Sequence, residues 1–185
     1  MEQLLIGLII FFGIHTVPAL PRLRAKLAEA MGENKYKGLF SLVSLAGLIL
    51  MGLGLARAEF IEVWQPLDSA RPLAIALMPV ALTLFFAANF PCHLRQKLRH
   101  PMMIGIMMWA LMHLMANGDL ASVVLFGSFA LYSVSSMASA HARGKVPSTK
   151  PVAVKFDLIA LALGIGAYGL VLWSHEMLFG VAVLV

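Results

Sequence analysis

Charge is what this chain has least of. Asp, Glu, Lys and Arg make up 12% of its 185 residues and hydrophobic residues 61%, whereas soluble domains carry about a quarter charged residues. With a mean hydropathy of +0.88, an ordinary soluble domain is excluded, and the length leaves no room for a separate one beside a membrane unit. Cys92 is the single cysteine, so no intrachain disulfide can form, and the missing C-x-x-C-H excludes covalent c-type haem attachment by that signature. No carboxylate lies mid-run where a proton pump needs one. Asp119 and Asp157 fall at helix starts, where capping accounts for them. No serine sits in a strand-turn-helix context, so a nucleophilic triad has no support. No internal repeat is visible, which argues against a transporter of duplicated halves. The acidic start Met1-Glu2-Gln3 and the lack of a small-x-small site before Pro18 and Pro21 make the first apolar run a permanent helix, not a signal peptide.

What remains is a set of apolar runs. Residues 3–20, 39–56, 72–90, 101–117, 119–138 and 156–174 each approach the roughly 17–25 residues that a hydrocarbon core of about 30 Å requires. The predicted fold is therefore all-α: a polytopic membrane protein of about six transmembrane helices in one bundle, residues 1–185 forming a single transmembrane domain. The +5 net charge is an orientation signal and not a nucleic-acid patch. Twelve of the fourteen Lys and Arg residues fall in alternate segments: 21–38, 91–100 and 139–155. Positive charge stays inside, so these three face the cytoplasm and both termini lie outside. Segment 21–38 reads as amphipathic on the inner surface, and 142–155 as a solvated linker. Trp64 in the outer segment 57–71 suits the interface or a cap over a cavity. Asn117-Gly118 is a tight turn, with Asp119 placed to cap the next helix. The nine residues after Glu176 are too few to cross, so they extend the sixth helix or lie in the outer leaflet.

Histidine carries the chemistry. His15 and His113 sit inside apolar runs, and an intramembrane ionisable residue marks function by default, its bland alternative being a hydrogen bond to a neighbouring helix. Met102, Ile106, Trp109, His113 and Asn117 share one face of the fourth span at i, i+3 or i+4 steps. That span also holds six of the twelve methionines, which pack helices or line an adaptable cavity. Two buried imidazoles on different helices point to a shared ligand, with haem iron first. Helical rise puts their depths about 4 Å apart on one anchoring of the fourth span and about 10 Å on another. His175, at the outer end of the sixth span, is the alternative partner for His113. Arg99 and His100, near Arg95, Asn89 and His93 at the inner mouth, are a basic rim for propionates or a phosphate, or simply a cytoplasmic helix start.

The stretches FFGIHTVPALPRLRAKL (11–27) and, most specifically, RHPMMIGIMMWALMHLMANGDLASVVLFGSF (99–129) resemble the NnrU family of small bacterial membrane proteins. The resemblance covers most of the chain. That family is in turn related to plant 15-cis-zeta-carotene isomerase, which holds haem b on protein side chains. The resemblance implies a single NnrU-like domain in the bacterial cytoplasmic (inner) membrane, haem b as cofactor, and a link to denitrification and nitric oxide metabolism. It makes His15 and His113 the metal-ligand candidates, while Trp109 and Asn117 on the shared face and His100 and Arg99 at the basic rim complete the candidate cofactor site. Nothing identifies a polyene channel, so isomerase activity does not transfer with it.

Two classes of function follow. One is a haem b protein whose iron acts on an apolar small molecule or on nitric oxide, as an isomerase or oxidoreductase. The other is a non-catalytic assembly or sensing partner of a respiratory membrane complex, in which the histidines only stitch helices. A weaker third reading rests on Arg99-His100-Pro101-x-x-x-Gly105, similar to the RHPxYxG stretch of isoprenylcysteine carboxyl methyltransferases. Here Met103 replaces the tyrosine, and the downstream acidic signature is missing.

Overall fold

In the computed structural model, described here for residues 1–144 and 146–183, the chain is helical, with eight α-helices among these residues. They are α1 (Glu2–Thr16), α2 (Pro21–Met31), α3 (Glu33–Ala56), α4 (Ala70–Ala87), α5 (His93–Leu98), α6 (Pro101–Ala116), α7 (Leu120–Ala142) and α8 (Lys155–Phe179). A 3-10 turn, Val17–Ala19, extends α1. With that turn, α1 joins α3, α4, α7 and α8 as helices long and apolar enough to span. The fourth of the expected spans, α6, has 16 residues and reaches only about 24 Å. Short α2 and α5 flank the spans at the basic end, as the sequence predicts for 21–38.

The two faces are recognisable from their contacts. Gln3, beside the N-terminus, accepts a hydrogen bond from Arg57 of the α3–α4 loop. That loop in turn pairs with the α6–α7 turn: Val63 N donates to Gly118 O at 2.7 Å and Leu120 N to Ile61 O at 2.8 Å. At the opposite face, Gln96 of α5 donates to the Lys150 carbonyl in the α7–α8 linker. The N-terminus thus shares a face with the charge-poor loops, and α8 starts beside the linker at the opposite face, in keeping with the crossings the sequence predicts. Lys145, one of the inner basic residues, and Leu184 and Val185 of the tail lie outside the described residues.

Packing runs as a row, α8–α4–α6–α7 and then α1–α3, with neighbours touching most along that order. Lipid gives helices no hydrophobic reason to associate, so close backbone approach does the work. Gly7 is the clearest case: a Cβ there would meet Met51 N at 2.6 Å and Gly47 O at 2.8 Å. Gly54 meets the Leu4 backbone, Gly105 the Ala81 carbonyl, and Gly164 the backbone of Thr83. Pro79 inside α4 has no N–H for the Ile75 carbonyl one turn back, and the Tyr168 hydroxyl of α8 donates to that oxygen at 3.0 Å. Outward sides stay apolar and uncovered, as at Ile9, Leu131 and Trp173, which is the surface of a multi-pass bundle in contact with a lipid bilayer.

Two local expectations change. Asp119 caps α7 as expected, accepting from Ser122 N at 2.9 Å. Asp157 does not cap its own helix; its carboxylate accepts from His93 Nδ1 at 2.7 Å and from Leu94 N at 3.2 Å. It therefore tethers α5 to α8 through a hydrogen bond from the half-exposed His93 ring. The last helix continues to Phe179 and stops at Gly180, whose φ of +70° suits glycine.

Candidate functional site

The expected face of α6 forms. His113 Nδ1 donates to the Trp109 carbonyl at 2.8 Å, and Asn117 Nδ2 donates to the His113 carbonyl at 2.8 Å. Because a carbonyl can only accept, Nδ1 carries the proton and Nε2 keeps its lone pair whenever the ring is neutral. His15 repeats the device on α1, Nδ1 to the Phe11 carbonyl at 2.7 Å. His175 does so through the Val181 carbonyl at 2.8 Å, where the chain folds back after Gly180. Three imidazoles thus present an acceptor nitrogen held by a backbone bond, the arrangement that orients metal-ligating histidines.

Between His15 and His113 runs a seam of rings. His15 stacks on Phe11 at 4.0 Å, Phe11 meets Phe129 at 5.4 Å, Phe129 meets Trp109 at 5.3 Å, and Trp109 meets His113 at 5.2 Å. Phe126 closes the far end against His113 at 4.7 Å, and Tyr132 the near end, donating to the His15 carbonyl at 3.1 Å. Each such pair adds about 0.5–1.5 kcal/mol beyond area burial. These α7 residues escaped the sequence reading, although Phe126, Phe129 and Tyr132 recur every third position, which one helix face shares.

The seam also sets the separation. His113 lies beside Phe126 and His15 beside Tyr132, six residues or about 9 Å apart along α7. Of the two depth offsets the sequence allowed, the arrangement matches the larger. His175, the alternative partner, stands near the end of α8. Arg99 and His100 begin α6 at its inner end, about 20 Å from His113 along the helix, so the basic rim does not converge with Trp109, His113 and Asn117. Arg99 is exposed with φ +59° and shapes the α5–α6 bend.

Over the outer end of α6 the α3–α4 loop lies down as a cover. Trp64 Nε1 donates to the Leu114 carbonyl at 3.2 Å, and Leu67 N to the Met115 carbonyl at 3.2 Å. Gly118 permits this, since any Cβ there would strike the Trp64 carbonyl. An open cleft of about 400 Å³ lies between the loop and the α6–α7 turn, lined by Phe60, Glu62, Trp64, Asn117 and Asp119 among others. Trp64 lies in this cover at the outer end of the bundle, where the sequence offered it as a cap or an interface residue.

The family whose description is NnrU protein matches residues 3–183 of this sequence. The chain belongs to the NnrU family. Curated proteins and solved structures provide no match. NnrU membership covers the whole bundle, so the seam and its three imidazoles lie within the family's domain. Among the described residues no cluster of three or more His, Cys, Asp or Glu side chains is arranged for a metal ion.

Proposed function

We propose that this NnrU protein is a haem b protein of the bacterial cytoplasmic membrane, linked to nitric oxide metabolism in denitrification or to redox conversion of an apolar substrate. The observation that carries the reading is the shared hydrogen bond of the imidazoles: Nδ1–H is occupied by a carbonyl, and Nε2 is left to donate its pair to iron. The donor set fits the group. His113 would hold it, with His175 near the end of α8 as the candidate second imidazole, and Trp109 and Phe126 as ring walls. Bound haem supplies a redox-active iron that can take a diatomic gas or act on a substrate in the bilayer. Asn117 fixes the last turn of α6 and Trp64 covers it, so the protein's part is to orient the ligand ring and limit water from the outer face. His15 belongs to the other end of the seam in this reading.

The test is an optical spectrum of protein purified in detergent from haem-replete cells, oxidised and then reduced with dithionite. A Soret band with sharp reduced α and β bands, at about one haem per chain, supports the proposal. A colourless protein that co-purifies with a respiratory complex sinks it in favour of the assembly role.

A further inference from the structure

At the inner end of the seam one polar atom has no partner. Tyr36, in the first turn of α3, is 7% exposed, and its hydroxyl is the one buried side-chain oxygen or nitrogen without a hydrogen bond among the described residues. A buried hydroxyl left unmatched costs about 1–3 kcal/mol, so its retention calls for a ligand. One turn further along α3, Phe40 lies 6.4 Å from the Tyr36 ring and 5.0 Å from the His15 ring. A free donor and a free acceptor, His15 Nε2, therefore flank the same aromatic ring, and Phe11 stacks on His15 from the other side.

The electrostatics select the ligand. Arg24 lies over the Tyr36 ring at 5.6 Å, but its guanidinium is tied to Glu33 at 2.5 Å, and Lys37 reaches the same carboxylate at 3.3 Å. Two cations share one anion that lies beside them. The site walls themselves are neutral rings, so the observations favour an uncharged flat molecule over a phosphate. It must accept from Tyr36 O–H and donate to His15 Nε2. A quinone has only acceptor oxygens and leaves His15 unmatched. A hydroquinone satisfies both, since each phenolic O–H donates and accepts. The position matches too, since amphipathic α2 meets α3 here at the basic end of the bundle.

We propose that the junction of α1, α2 and α3 is a binding site for a membrane hydroquinone, held between Tyr36 and His15 against Phe40. The site is separate from His113 and does not depend on haem. The test is calorimetric titration of the intact protein in detergent with a short-chain ubiquinol kept reduced. Saturable micromolar binding is expected, about tenfold weaker in Tyr36→Phe and in His15→Phe, one hydrogen bond each. Without ligand, Tyr36→Phe should melt no lower than wild type, because the lost hydroxyl has nothing to bond. That result separates a ligand-directed hydroxyl from a structural one. No saturable binding by wild type, or binding by both variants as tight as by wild type, overturns the proposal. So does displacement of the hydroquinone by phosphatidylglycerol in both variants as in wild type, which assigns the site to a lipid headgroup.

Discussion

The two ends of the aromatic seam use the same imidazole device in opposite settings. At the outer end, His113 is built in: its own carbonyl takes the Asn117 amide, the next residue's takes the Trp64 indole, and the loop above is pinned to Gly118. At the inner end, His15 is anchored through Tyr132, yet the neighbouring Tyr36 hydroxyl is left without a partner. An end pinned by backbone bonds around one open imidazole nitrogen is suited to a resident group that stays. An end with one group unsatisfied is suited to a molecule that comes and goes.

The largest expected effect breaks the outer end outright. Gly118→Ala would drive a Cβ into the Trp64 carbonyl, and overpacking of this kind costs about 1–3 kcal/mol. Thermal unfolding in detergent should show a clearly lowered midpoint, with faster proteolysis of the 57–69 loop. A midpoint equal to wild type would mean the cover is not fixed by that contact.

Next, His113→Ala and His15→Ala should differ. The first is expected to abolish the reduced α band. The second should leave pigment while weakening hydroquinone binding about tenfold. Equal loss of pigment in both variants would return His15 to the haem and collapse the distinction between the ends.

Smaller still is Trp64→Phe, which keeps the ring but loses the bond to Leu114 O, costing about 1 kcal/mol. Pigment should survive, with faster entry of a water-soluble reductant such as dithionite by stopped-flow. An unchanged rate would locate the access path elsewhere. Tyr168→Phe serves as a control far from either end. It strips the Ile75 carbonyl of its substitute donor opposite Pro79. About 1 kcal/mol of stability should go, with no change in colour or in ligand binding.

Much of this was legible in the residues. The alternating basic loops predicted the crossings, because arginine and lysine resist translocation. The i, i+4 ladder Trp109-His113-Asn117 was readable because helical period places those groups in line. The partner of each group was not. Asp157 looked like a cap, yet it reaches 63 and 64 residues away to α5. Tyr36 sits in a polar, lysine-flanked stretch that looks solvated until α2 folds over it.

Composition and charge order thus determined by themselves that this is an all-helical, multi-pass membrane chain with both termini on one side. Those properties depend on transfer of each segment between water and lipid, which is a sum over its own residues. Tertiary structure alone decided which helices are neighbours, that His15 and His113 stand at different depths, and that one hydroxyl is left without a partner. In lipid, helices are sorted by backbone contact at small residues and by individual hydrogen bonds. Those are properties of pairs of surfaces, and no single segment carries them.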